Sequence, residues 1–299
     1  MTEPTEAQPT TTQPTDAAAA AAAGASSGRE FVRLVRHSAP GVDDAGRAYV
    51  AEIVLDRPQA MNAVSTQLAR ELGATCADLA AEALMGGVRA VVLSTSNPKA
   101  FCVGADLKER KTFTDADLMA QRPIARAAYT GVLTLPVPAI AAVEGFALGG
   151  GCELALSCDL IVAGDAVTIG LPEVSVGVIP GGGGTQLLTR RVGWSRAARV
   201  IFTAARLRAQ QAAELGLIDE VVAAGSARER ALDLAHGIAA HSPVGVRNAK
   251  KAMRLGFDVD LAAGLEIEDG CWRATAFSGD RHEGVAAFNE KRTPDWPGV

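Results

Sequence analysis

From Phe31 onward the apolar residues fall into short runs separated by polar turns. Residues 31–36 and 49–55 are strand-like and flank a Gly- and Asp-rich turn at 41–46, which predicts an opening hairpin. The period then lengthens: Leu68, Leu72, Cys76, Leu79 and Ala83 share one helical face, and the apolar run 90–93 follows as a buried strand. The order repeats. Thr114 with Asp115 and Asp117 marks a helix start, 137–143 reads as a strand, a helix is expected from near Gly150, and 160–163 is strand again. Short strands alternating with helices predict an α/β fold with largely parallel pairing.

After about Gly193 the strand signals stop. Segments 194–204, 209–215, 227–239, 243–255 and 261–277 read as helices, with Ser242 as an N-cap and Pro243 at a first helical position. The expected division is a tail over residues 1–29, an α/β core over 30–193 and an all-helical module over 194–299. The tail is rich in Thr, Pro, Gln and Ala, has no Lys or Arg before Arg29, and carries Glu3, Glu6 and Asp16. That composition fits neither a secretory signal nor a transit peptide and predicts a disordered segment. No apolar stretch approaches the roughly 20 residues of a spanning helix, so the expected location is cytoplasmic, with no membrane partner.

Composition narrows the class further. With 48% hydrophobic and 21% charged residues the chain has the balance of a folded globular enzyme. Its net charge of −5, from 29 basic and 34 acidic side chains, is not concentrated in runs and disfavours nucleic acid as a partner. Cys76, Cys102, Cys152, Cys158 and Cys271 form no CxxC pair and sit in apolar segments, which predicts reduced, buried thiols. His37, His236, His241 and His282 are scattered, so no metal is expected.

Glycine concentrates at Gly104 in FCVGADLKE, at 149–151 in GFALGGGCELA and at 181–184 in IPGGGGTQ. None of these has the Lys of a phosphate loop or a GxGxxG between strand and helix, so a nucleotide site is disfavoured. Glycine also lets a ligand oxygen approach the backbone, and the amide of Gly150, at a helix start after a strand, suits a developing anion. The GADLKE turn is the natural place for a second donor; for each loop alone a plain tight turn is an equal reading. Glu153 lies three residues past Gly150, and Glu173 stands in the apolar GLPEVSVG. Two such carboxylates would share one water, as base and acid, if their environments split their pKa values. Each taken singly reads equally as an ion-paired or helix-end carboxylate. The clusters 108–111 and Lys250 with Lys251 read first as solvated helix faces and second as phosphate contacts.

Four stretches in order, LDRPQAMNAVS, AFCVGADLKE, GFALGGGCELALSCDLIVA and GLPEVSVGVIPGGGGTQLLTRRVG, resemble the enoyl-CoA hydratase and isomerase, or crotonase, superfamily over residues 31–297. GADLKER and the ending RHEGVAAFNEKRTPDW look like its 3-methylglutaconyl-CoA hydratase branch. The resemblance implies a crotonase-like spiral of strand-strand-helix repeats with C-terminal helices, packed as a homotrimer or a dimer of trimers. It implies an acyl-CoA thioester as substrate, with no cofactor beyond the coenzyme A that the substrate carries. By position it places the oxyanion amides on Ala105 and Gly150 and the catalytic carboxylates on Glu153 and Glu173. It places CoA contacts on Arg57, Ala60, Asp106, Leu107 and Lys108, with Trp272 and Lys291 closing the pocket or reaching a phosphate. The implied reaction is hydration of a 2,3-enoyl-CoA, with Δ3,Δ2-isomerisation as the alternative. One relative in that branch also binds RNA. Against that stands the segment 66–84, which holds one Arg and no Lys.

Overall fold

The computed structural model describes residues 29–39 and 48–299. The turn expected at 41–46 and, apart from Arg29, the expected tail lie outside the described residues. Strands β1 (Val32–Ser38) and β2 (Tyr49–Leu55) pair antiparallel, as the hairpin reading requires. All of β2 is buried, because both of its faces are covered, and this is why it shows no alternation of polar residues. Helix α1 (Thr66–Leu84) begins at Ser65, whose hydroxyl accepts from the Leu68 amide, and it buries Leu68, Leu72, Cys76, Leu79 and Ala83 as their spacing predicts.

Next come β3 (Val88–Thr95), β4 (Ala100–Cys102), α2 (Leu107–Arg110), α3 (Asp115–Leu133), β5 (Ala139–Val143), β6 (Phe146–Leu148), α4 (Gly150–Ser157), β7 (Leu160–Gly164) and β8 (Thr168–Gly170). The capping box of Thr114 and Asp117 starts α3. In this region strands alternate between two sheets. The long β3, β5 and β7 lie side by side in a six-stranded sheet of order β1-β2-β3-β5-β7-β10, and the short β4, β6 and β8 build a four-stranded sheet closed by β9. Each strand-strand-helix unit therefore adds one strand to each sheet, and the chain advances as a spiral. Within the units the neighbours run parallel.

The chain continues with α5 (Gly184–Val192), α6 (Trp194–Phe202), β9 (Arg206–Arg208), α7 (Ala209–Glu214), β10 (Glu220–Val222), α8 (Ala227–Ala239), α9 (Pro243–Gly256), α10 (Leu261–Ala276) and α11 (Gly279–Glu290). The expectation that the last third is all helical needs correction. β9 pairs antiparallel with β8, and β10 extends the large sheet by pairing parallel with β7. Each is three residues long, too short for a period to register, and each is a strand only because a partner edge is waiting. Helix α8 packs Ala231, Leu232 and Ala235 on Val50, Val92, Ile140 and Val162, covering the large sheet on the face opposite α1. Among the described residues no helix is long and apolar enough to cross a membrane.

Candidate active site

Two strand ends of the small sheet meet at the site. β4 runs into Gly104 and β6 into Gly149, and both glycines have positive φ (92° and 54°), a region that a side chain would strain. The two turns touch: a Cβ on Gly104 would stand 2.9 Å from the Leu148 carbonyl oxygen and 3.1 Å from the Gly150 amide nitrogen. A Cβ on Gly151 would overlap the Cys102 carbonyl, so the first turn of α4 can lie on β4 only if it is glycine. The glycine run is thus a packing requirement that brings two backbone turns together.

Those turns present two unused donors. Val64 donates to the Gly104 carbonyl at 2.7 Å and accepts from the Asp106 amide at 3.2 Å, which passes over Ala105 between them. Among the described residues neither the Ala105 nor the Gly150 amide donates to any acceptor, although Gly150 is buried. Gly150 also opens α4, where the helix dipole adds partial positive charge. A carbonyl oxygen lodged between these amides would complete both.

Glu153, one turn into α4, is buried, and its Oε1 accepts from the amides of Gly182 (2.6 Å) and Gly184 (2.8 Å) at the start of α5. The third glycine run is therefore a cradle for this carboxylate. Burial raises the Glu153 pKa above the ordinary carboxylate value, while the Gly184 and Gly182 amides pull against that rise. Glu173 opens a short 3-10 turn (Glu173–Val176) and stands against Gly149, at which a Cβ would lie 3.2 Å from Glu173 Oε1. Both of its carboxylate oxygens are buried without a partner. Burial pushes its pKa up to about 7, and the neighbouring Glu153 charge pushes the same way. One carboxylate accepts two backbone amides, whereas the side-chain oxygens of the other have no partner.

Tyr129 of α3 went unmarked in the sequence, where it lay in a segment with no distinctive pattern. It is buried between the loops: a Cβ on Gly150 would overlap its hydroxyl, and one on Gly182 would come within 2.8 Å of its ring. Burial first, then the Glu153 charge, raises its pKa well above that of a free phenol. It is a neutral hydroxyl at the mouth of the amide pair. Arg122, also on α3, donates to the Gly181 carbonyl at 2.7 Å and braces the cradle.

The residues expected at coenzyme A divide into two groups. Arg57 is committed to the protein, pairing with Asp106 at 2.6 Å and the Ala63 carbonyl at 3.0 Å and lying over the Phe31 ring. Asp106 also caps α2 through the Lys108 and Glu109 amides. Together they lock the 57–63 loop to the Ala105 turn. Leu107 and Lys108 are exposed beside that turn, and Ala60 is half-buried in the 3-10 turn Pro58–Ala60. Trp272 and Lys291 lie exposed on α10 and at the end of α11, helices that pack on α9 and on each other. Lys250 proves to be neither solvated nor a phosphate contact. It is largely buried and bonds Asp159 at 2.6 Å and the Val137 carbonyl at 2.8 Å, tying α9 to the large sheet.

Comparison with known proteins gives a consistent answer. The sequence pattern of the enoyl-CoA hydratase/isomerase family matches residues 45–298. The chain is 39% identical over 269 residues to the probable enoyl-CoA hydratase 2, mitochondrial, of Arabidopsis thaliana, covering 90% of this chain and 86% of that protein. It is 40% identical over 248 residues to the methylglutaconyl-CoA hydratase, mitochondrial, of Mus musculus, covering 82% and 78%. The crystal structure of an enoyl-CoA hydratase from Bacillus anthracis superposes with a TM-score of 0.83 at 38% identity, covering 90% of this chain and all of that one.

Proposed function

The chain belongs to the enoyl-CoA hydratase/isomerase family, and on that premise we propose that it is an enoyl-CoA hydratase, adding water reversibly across the 2,3 double bond of an acyl-CoA thioester. The observation that carries the proposal is the contrast between two carboxylates set against one pair of free amides. In this reading the thioester oxygen lies between the Ala105 and Gly150 amides. These stabilise the enolate as it forms, at about 3 kcal/mol per donor. Glu153, ionised and oriented by Gly182 and Gly184, takes a proton from water while the water oxygen bonds to C3. Glu173, whose environment favours its neutral form, gives its proton to C2. The product is the 3-hydroxyacyl-CoA. The extra proton on Glu153 must then return to Glu173, through solvent, before the next turnover.

Isomerisation needs only one carboxylate to carry a proton between carbons, and the specific hydrogen bonding of Glu153 favours the two-carboxylate reaction. Turnover of crotonyl-CoA by the wild type, Glu153→Gln and Glu173→Gln tests this. Each variant should lose on the order of 10²- to 10⁴-fold in kcat. Hydration that survives in both would sink the mechanism; a wild type that shifts 3-enoyl-CoA double bonds but adds no water would favour the isomerase. We further propose that exposed Leu107 and Lys108 border bound coenzyme A. A homotrimer or dimer of trimers would cover the exposed Phe257, Leu261, Trp272 and Phe288 of the C-terminal helices. In that assembly Trp272 and Lys291 would serve a neighbouring site. A monomer in sedimentation velocity would overturn the assembly.

A further inference from the structure

Residues 57–64 pass beside the Ala105 turn with two consecutive residues, Met61 and Asn62, at positive φ (50° and 54°). Residues other than glycine rarely enter that region, and they stay there only where the surroundings hold them. Here the holder is the Asn62 side chain, which is fully buried. Its Oδ1 accepts from the Arg57 amide at 2.8 Å, which closes its own loop. Its Nδ2 donates to the Thr95 hydroxyl at 2.7 Å and the Phe101 carbonyl at 3.0 Å, with the Ala100 carbonyl at 3.4 Å. One amide group thus joins the loop to the end of β3 and to β4, the strand that runs into Gly104.

The loop so held lies along the turn as a makeshift strand. The Val103 amide donates to the Met61 carbonyl, and Val64 forms a parallel bridge with Ala105. In such a bridge Val64 bonds the residues on either side of Ala105, and the Ala105 N–H faces away from Val64. That amide is free for a ligand because the loop engages Gly104 and Asp106 and passes it by. The aim of the Ala105 amide is therefore set by where Val64 stands, two residues beyond Asn62.

We infer that Asn62 is a positioning residue for the reaction: by clamping the 57–64 loop to β3 and β4, it fixes Val64 and, through Val64, the direction of the Ala105 amide. Being fully buried, Asn62 acts through the backbone and does not touch the ligand. Its role rests on the reading of the Ala105 and Gly150 amides as the seat of the thioester oxygen. A donor misdirected by a fraction of a bond length loses much of its effect on a developing enolate, while the rest of the bound thioester is held as before.

The test reads the carbonyl itself. Butyryl-CoA, an unreactive thioester, carries an isotope label at its carbonyl, and infrared difference spectra record the carbonyl stretch at saturation. Between two amides the stretch should fall below its value in water. Asn62→Asp keeps the shape and the bond from Arg57 but sets an oxygen against two carbonyls. Asn62→Gly keeps the positive φ and removes the clamp. Both should lose most of the fall in the stretch, and kcat for crotonyl-CoA should drop on the order of 10- to 100-fold with KM nearly unchanged. Ser94→Ala breaks a buried bond to Glu52 and controls for a general loss of stability; it should leave the stretch as in the wild type. If one Asn62 variant does not fold, the other decides. A wild-type stretch in the folded Asn62 variants, or an equal loss in Ser94→Ala, would overturn the role of Asn62. A wild type that shows the fall but adds no water to crotonyl-CoA would sink the hydratase reading alone, with the stretch still deciding on Asn62. A wild type without the fall would remove the amide pair as the oxygen's seat, and the role of Asn62 with it.

Discussion

Glu173→Gln should lower kcat on the order of 10²- to 10⁴-fold and, at neutral to alkaline pH, make the protein more stable. The folded protein holds the Glu173 pKa at about 7 against an ordinary 4.5, because its two oxygens are buried without donors. As pH rises between these values the unfolded chain releases this proton while the folded chain keeps it. The folded state therefore loses stability across that window, and above pH 7 the accumulated penalty is about 3 kcal/mol. Glutamine has nearly the same shape and never ionises, so it removes the penalty but cannot deliver a proton. Urea unfolding of wild type and variant at pH 5 and pH 8 measures the effect. The variant should gain little at pH 5 and up to about 3 kcal/mol at pH 8. A difference that is the same at both pH values, or a variant less stable at pH 8, would refute the claim that Glu173 is a strained carboxylate kept for its proton.

The same value sets a rate profile: kcat/KM for hydration should fall about tenfold per pH unit above pH 7, and a flat profile to pH 9 would contradict Glu173 as the acid. Gly150→Ala should lower kcat on the order of 10²-fold or more, because its methyl would overlap the Tyr129 hydroxyl beside the free amide; pairing it with Tyr129→Phe should recover part of the loss. On the far side of the large sheet, Glu52 is fully buried and bonds His37, Ser94 and both forks of Arg228. Burial opposes its ionisation, yet the bonds from His37, Arg228 and Ser94 draw its pKa down to about 2. Its stabilising effect is full above pH 4.5 and lost as pH falls towards 2. Glu52→Gln should therefore cost about 3 kcal/mol at pH 7 in denaturant unfolding, with the difference from wild type shrinking in acid.

Much of the frame was legible without coordinates, because its signals are local. The α1 face, the β1–β2 hairpin and the capping box of α3 each span a few residues, and each is read from spacing alone. Gly150, Glu153 and Glu173 also stand within short glycine-bearing stretches, but each glutamate read equally as an ion-paired carboxylate until the family resemblance joined the two. What those stretches left open was the environment of each glutamate. That depends on Gly182 and Gly184 arriving some thirty positions after Glu153, and on nothing arriving at Glu173.

The tertiary structure alone decided the rest. β9 and β10 are strands because β8 and β7 present free edges, a fact absent from three residues of sequence. Tyr129 is a site residue because two glycine loops from other parts of the chain close around it. Lys250 and Asp159 are 91 residues apart and become a buried pair only when α9 docks. Periodicity and caps report interactions within a few residues, so the sequence by itself determined the longer strands and the capped helices and offered the two carboxylates as candidates. Desolvation and long-range hydrogen bonding depend on where distant segments meet, so the fold decided that Glu153 accepts two backbone amides while the side-chain oxygens of Glu173 are buried without a partner.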